Sequence, residues 1–253
     1  MRILLVNDDG FHAPGFAVLR KIAAAFSADV WAVAPESDQS GLAHSLTLSH
    51  PLRVREVEER HFILRGTPTD CVIMGVRELM PAPPDLILSG VNHGQNVAND
   101  VTYSGTAAGA MEGAILGIRS FALSQRMDWL AGEKVHWETA LHHAPALIDQ
   151  LLATAFDPGV FININFPHCA PHDVQGIEVV PQGMVDHELG AEQRKDGRGQ
   201  PYYWLTYKSG RLVSDFHSDV SALHAGKISV TPMRPDFTDH TMLNRLQTAF
   251  EAG

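Results

Sequence analysis

Asp8 and Asp9 stand side by side in the run Asn7-Asp8-Asp9-Gly10, directly after the apolar stretch Ile3-Leu4-Leu5-Val6. Adjacent carboxylates repel each other unless something positive lies between them, so the pair suits a cation. Ser40, in Asp38-Gln39-Ser40-Gly41, and Asn92, in Ser89-Gly90-Val91-Asn92-His93-Gly94, would complete a set of two anionic and two neutral oxygen ligands. Hard oxygens favour Mg²⁺, Mn²⁺ or Ca²⁺ over zinc or copper. Four protein oxygens also leave coordination places for water and a substrate phosphate. Aspartate is common in turns, and capping of a loop or of the following helix remains an open reading of the same pair.

A second cluster, Tyr103-Ser104-Gly105-Thr106, opens a segment rich in small residues, Ala107-Ala108-Gly109-Ala110. A helix N-terminus with hydroxyls and a glycine is a natural phosphate site, and it is equally an ordinary N-cap; both roles can hold together. His12, His44 and His93 lie near these clusters, but no HxxxH or HExxH spacing occurs, which points to supporting roles. His142 and His143 are neighbours on an expected helix and face different directions, so they are no joint ligand pair. Tyr202-Tyr203-Trp204 reads as packing on a hairpin or interface rather than as a base-stacking platform.

These clusters need a frame that brings them together. Ile3-Val6, Val30-Ala34, Asp85-Ser89, Phe121-Ser124 and Val160-Asn165 read as strands apolar throughout. Helical segments separate them: Gly15-Phe26, Pro68-Met80 with Thr67 as N-cap, Gly105-Gly117 and Trp137-Ala153. Leu48-Val57 and His61-Leu64 read as a short extended excursion. Buried strands alternating with helices imply α/β architecture: a Rossmann-like, doubly wound, mostly parallel sheet, here without the GxGxxG dinucleotide signature. Ligands bind such sheets beyond the carboxyl ends of the strands, where the first three strands deliver their polar clusters. Gly176-Pro181 and Tyr202-Tyr207 are expected to flank the polar stretch Gly190-Gln200 as a C-terminal β-hairpin extension, with a late strand at Lys227-Thr231 and a final helix at His240-Glu251. The expected organisation is one α/β domain over residues 1–253: a core at about 1–170 with 227–251, and a protruding hairpin and oligomerisation region at about 176–213.

Composition agrees and excludes other classes. The chain has 253 residues, 45% hydrophobic and 19% charged, enough for a substantial core. A formal net charge of -10 gives no basic field for a nucleic acid polymer, so any phosphate chemistry must create its own local positive potential. Cys71 and Cys169 are sparse, as in reducing compartments, and no run of about 18 apolar residues exists. A cytoplasmic protein without a membrane partner is expected.

Five blocks of the sequence, in order, resemble the SurE survival-protein family. They are Ile3-Gly10 with His12-Ala13-Pro14-Gly15; Ala34-Pro35 with Asp38-Gly41 and His44-Leu48; Gly66-Val72; Pro84-Leu86 with Ser89-Gly94 and Asn96; and Asp100-Thr106 with Ala110-Gly113. Ser229-Pro232 is similar to the family's late strand. The resemblance implies a metal-dependent 5'-nucleotidase acting on nucleoside monophosphates, in some members also on 3'-nucleotides and short polyphosphate. It maps metal ligands onto Asp8, Asp9, Ser40 and Asn92, for one divalent cation per subunit, Mg²⁺ or Mn²⁺. It maps phosphate contacts onto Asn96, Ser104, Gly105 and Thr106, and assembly as a homodimer or homotetramer onto the C-terminal region. Leu42, Lys227 and the stretch Met184-Ser218 depart from the family pattern, without touching a metal or phosphate position.

The mechanism expected is in-line attack of a metal-activated water on a phosphate monoester, with Asp8 and Asp9 as the catalytic acids. On the resemblance, Asp8 is the base or water-orienting group. A covalent aspartyl-phosphate is the other route. A receiver domain would need an aspartate where this chain has Ser89-Gly90. A nucleoside hydrolase would release free base rather than phosphate, and a binding module would show no turnover.

Overall fold

The computed structural model describes residues 1–128, 134–186, 189–207, 211–212 and 217–251. Its first element, β1 (Ile3–Val6), is buried on both faces, which only the centre of a covered sheet can provide. After it come α1 (Pro14–Ala24), β2 (Val30–Pro35), β3 (Arg53–Glu58), β4 (His61–Arg65) and α2 (Pro68–Met74). Next are β5 (Leu86–His93), α3 (Gly105–Ile115), β6 (Arg119–Gln125), α4 (Trp137–Leu152) and β7 (Phe161–Phe166). The chain continues through β8 (Ile177–Val179), β9 (Val185–Asp186), β10 (Leu189–Lys195), β11 (Pro201–Tyr207) and β12 (Arg211–Leu212). It ends with α5 (Asp219–His224), β13 (Ile228–Met233) and α6 (His240–Glu251).

Nine strands form the main sheet in the order β3-β4-β2-β1-β5-β6-β7-β13-β8. The pairs from β4 through β7 are parallel, whereas β3 runs antiparallel to β4 and β13 antiparallel to β7. One face is covered by α1 and α4, whose Phe16, Leu19, Ile22, Leu147 and Ile148 share a core with Leu5, Leu88 and Ile164. Cys71, Val72 and Val76 pack on Leu4, Val6 and Ile87 on the other face, and α3 lies beside α2 there. The sheet is doubly wound, and its carboxyl edge is where β1, β2 and β5 end.

Several boundaries differ from the sequence expectation. The extended excursion is part of the sheet: β4 pairs with β2 in parallel and β3 closes the edge. The helix expected over Pro68–Met80 is α-helical only to Met74, and Gly75–Leu79 forms a π turn, in which the Met80 N–H donates to the Gly75 carbonyl at 3.0 Å. The wider turn keeps both Val76 and Met80 in the core. The hairpin is also displaced. Gly176–Pro181 does not form its arm, because β8 joins the main sheet alongside β13. The hairpin is β10 with β11, in register from Leu189↔Tyr207 to Lys195↔Pro201. Its first arm is polar and exposed on both faces, so no hydrophobic period marks it; main-chain hydrogen bonding alone defines the strand. Residues 187–188, 208–210 and 213 of the expected protruding region lie outside the described residues.

The expected cap at Thr67 forms as a reciprocal capping box with Asp70. Asp70 does more: its carboxylate accepts from Thr67 N–H at 2.8 Å and from Thr47 N–H at 3.1 Å, while the Thr67 hydroxyl donates to the Ser45 carbonyl at 2.8 Å. The loop that carries Ser40 is thereby tied to the start of α2. Asp70→Ala should cost about 2–3 kcal/mol, since a cap is lost and a buried donor is left without an acceptor. Chemical denaturation checks this, and a change below about 0.5 kcal/mol would contradict it.

Candidate active site

The β1 chain turns sharply at its carboxyl end. Asn7 is buried and its side-chain amide donates to the Gly10 carbonyl at 2.8 Å. Gly10 has φ +99, a conformation that favours glycine, and it lets the chain pass close to Ser37 and Asp38. Asp8 and Asp9 sit on this turn. Asp8 is only 4% exposed, and its carboxylate accepts from the Thr106 N–H at 3.1 Å and from the Thr106 hydroxyl. The start of α3 is thus joined directly to the end of β1. Gly105 permits it, since a Cβ there would lie 2.8 Å from Asp8 Cβ. Asp9 accepts from the His93 N–H at 3.0 Å, which ties the turn to the end of β5 beside Asn92.

Ser40 reaches the same edge. Gln39 N–H donates to the Asp8 carbonyl at 2.8 Å, and Asp38 accepts from both the Ser40 N–H at 2.8 Å and the Ser40 hydroxyl at 2.6 Å. The Asn92 amide donates to the Gly94 carbonyl at 2.9 Å. Asp8, Asp9, Ser40 and Asn92, singled out from strand-end position, therefore occupy one cluster of connected loops.

Burial pushes the Asp8 carboxyl from 3.8 up to about 7, with the Asp9 charge adding to it and the Thr106 hydrogen bonds opposing. Asp9 is raised from 3.8 to about 6, again by burial first, with Asp38 adding and the His93 N–H opposing. Among the described residues, neither carboxylate has a Lys, Arg or His side chain within ion-pair distance. Two desolvated, mutually repelling acids beside neutral oxygens fit a hard divalent cation, which would supply the missing positive charge. No group of three or more His, Cys, Asp and Glu side chains that could hold a metal gathers among the described residues, so a cation here would have to draw on serine and asparagine oxygens beside the two carboxylates.

The expected phosphate positions divide. Ser104 caps α3, accepting from Ala107 N–H at 3.0 Å. Thr106 is fully buried and directs both its donors to Asp8. The Gly105 N–H has no acceptor among the described residues, as is usual for the first N–H groups of a helix. Asn96 is held deeper: its amide donates to the Ser124 hydroxyl at 2.9 Å, and its carbonyl accepts from Asn163 and Asn165 at 2.8 and 3.0 Å. Sequence reasoning assigned no role to Asp38, Asn163 or Asn165. A signal for the last two exists: asparagines two apart within the buried strand Phe161-Ile162-Asn163-Ile164-Asn165-Phe166 share a face and need polar partners. The histidines take supporting positions. The His93 ring stacks on Trp137 at 5.8 Å, and His44 Nε2 lies 2.9 Å from Glu112 Oε2.

The description "Survival protein SurE" matches residues 3–188 of the chain. The chain belongs to the SurE family. Relatives from Brucella canis and Brucella abortus, each named 5'-nucleotidase SurE, are 57% and 56% identical, with 98% of this chain and 98% of each relative covered. The solved SurE protein of Aquifex aeolicus superposes with a TM-score of 0.84 at 34% identity, covering 98% of this chain and 99% of that one. The SurE-family frame accounts for the mostly parallel sheet as well as the appended C-terminal strands. Among the described residues, no helix is long and apolar enough to cross a membrane.

Proposed function

We propose that this SurE-family chain is a divalent-metal-dependent phosphomonoesterase that converts nucleoside 5'-monophosphates to nucleoside and phosphate, with 3'-nucleotides and short polyphosphate as further substrates. The observation that carries the reading is the junction of Asp8 with the start of α3, which sets a cation-seeking carboxylate pair against a helix N-terminus suited to phosphate. The relatives' name, 5'-nucleotidase, supports the same class.

Asp8, Asp9, Ser40 and Asn92 would hold one Mg²⁺ or Mn²⁺. That ion would supply charge neutralisation on phosphate oxygens and a more acidic water. The chain's own residues do the rest. Gly105 N–H and the α3 dipole hold a phosphate oxygen, with Ser104 beside them. Thr106 fixes the Asp8 carboxylate so that it orients the attacking water and takes its proton. Asn96, braced by Asn163 and Asn165, is a further contact for the phosphate. Thr106→Val should weaken divalent-cation binding by about 10- to 100-fold, because it removes a hydrogen bond that orients a ligand carboxylate. Titration calorimetry checks this, and unchanged affinity would remove Thr106 from the site.

The whole chain acts as one α/β unit in the cytoplasm, and its C-terminal region joins copies into a dimer or tetramer. Leu243, Leu246 and Phe250 are exposed along one side of α6, and Tyr203, Trp204 and Leu205 are exposed on the two faces of β11, which supports association there. The deciding experiment is phosphate release from nucleoside 5'- and 3'-monophosphates and polyphosphate, with chelator, Mg²⁺ or Mn²⁺, beside Asp9→Asn. Metal-dependent release lost in the variant supports the reading. Folded protein that releases no phosphate with any metal sinks it.

A further inference from the structure

Arg53 and Arg65 stand directly opposite each other on β3 and β4, and both are exposed. Like charges at such positions, with Cβ atoms about 5 Å apart, destabilise a strand pair. Other arginines here have carboxylates to meet: Arg2 and Arg60 share Asp29, and Arg234 meets Asp157. Neither Arg53 nor Arg65 has an ion pair or side-chain hydrogen bond among the described residues. In a chain with net charge -10, such a pair is a cost that the fold itself does not require.

Arg65 lines a cleft of about 450 Å³ with Ser37, Gln39, Thr47 and His50. Glu36 lines it too, without reaching ion-pair distance of Arg65. The cleft borders the candidate active site, since Gln39 donates to the Asp8 carbonyl and precedes Ser40. Leu5 is level with Ala32 and Ala32 with His61, so Arg65, at the carboxyl end of β4, stands at the same edge of the sheet as the turn that carries Asp8 and Asp9, with β2 between them.

We propose that Arg65 and Arg53 form an accessory anion site, which takes a second phosphoryl group of an oligophosphate chain whose terminal phosphoryl group lies at Asp8 and Asp9. The proposal rests on the phosphatase reading of that site. A guanidinium matches phosphate oxygens in fork geometry, and the Ser37 and His50 side chains, which line the same cleft, can add donors around it. A bound anion also cancels the cross-strand repulsion, so the charge pair is useful only when the site is filled. A substrate with one phosphoryl group leaves Arg65 and Arg53 out of binding.

The test uses the full chain, the double variant Arg53→Gln/Arg65→Gln, and tripolyphosphate as probe. The inhibition constant of tripolyphosphate against p-nitrophenyl phosphate hydrolysis should rise about tenfold or more in the variant, as loss of charged hydrogen bonds predicts. The kcat/KM for p-nitrophenyl phosphate itself should change less than about twofold, as for surface substitutions elsewhere. In chelator, tripolyphosphate should raise the melting temperature of the natural protein but not of the variant, and the anion-free variant should melt higher than the natural protein. Equal inhibition together with an equal thermal response overturns the proposal. If the natural protein hydrolyses no monophosphate, the phosphatase reading fails instead, and the thermal comparison alone decides whether the arginines hold the anion.

Discussion

Asp8→Asn should lower metal-dependent phosphate release by a factor on the order of 10³, and in the same protein raise stability when metal is withheld. The two effects have one cause. Burial and the Asp9 charge push the Asp8 carboxyl up to about 7 in the metal-free fold, against 3.8 for an ordinary aspartate. The folded state therefore binds this proton more tightly than the unfolded chain does. The stabilising contribution is complete below about pH 4 and disappears as pH rises through about 7. At pH 8 the ionised group opposes folding by a few kcal/mol. Asparagine carries no charge to desolvate, so in chelator the variant should lose less stability between pH 5 and about pH 8 than the natural protein. Melting curves across that range, beside phosphate-release assays, test both halves. Retained turnover would remove Asp8 from the chemistry. A variant less stable than the natural protein at high pH would show that burial is not what raises the carboxyl.

Gly15→Ala, though far in sequence from β5, should cost about 3 kcal/mol or more and lower the melting temperature by roughly 10 °C. A Cβ at Gly15 would stand 1.9 Å from the Val91 carbonyl oxygen and 2.9 Å from the Trp137 ring. The Val91 oxygen is main chain, in the stretch of β5 where the register with β6 shifts between Ser89 and Asn92. It cannot rotate away like a side chain, so α1 must move off the sheet. Asn92 follows Val91 directly, so phosphate release should fall along with stability. Gly197→Ala is the control: nothing lies within 4 Å of its Cβ position, and it should melt within about 2 °C of the natural protein. A Gly15→Ala protein equally close to the natural one would mean that α1 does not pack this tightly against β5.

Much of the active-site end of the molecule was legible in the residues. Runs apolar throughout, such as Ile3-Val6 and Leu86-Leu88, become central parallel strands because both their faces need covering. Once those strands are parallel, their carboxyl ends must share an edge, which brings Asp8, Asp9, Ser40 and Asn92 together. Thr67 and Ser104 announced their caps through local chemistry alone. The first arm of the hairpin was misplaced because exposed polar strands such as Leu189–Lys195 have no burial pattern to read, and their partner is set by main-chain pairing. The π turn after Met74 was equally silent, since the need to seat both Val76 and Met80 exists only against a finished sheet.

The sequence by itself determined the layer order and the strand-end clusters with the oxygen-bearing side chains they present, because periodicity and side-chain chemistry are local properties. The tertiary structure alone decided how those groups work on one another. It joined Thr106, expected as a phosphate contact, to Asp8 by hydrogen bonds, placed Asp38 on Ser40, and braced Asn96 from β7. It also desolvated the acid pair, which raises both carboxyls. Burial and hydrogen-bond partners come from residues distant along the chain, so neither exists until the sheet has closed around them.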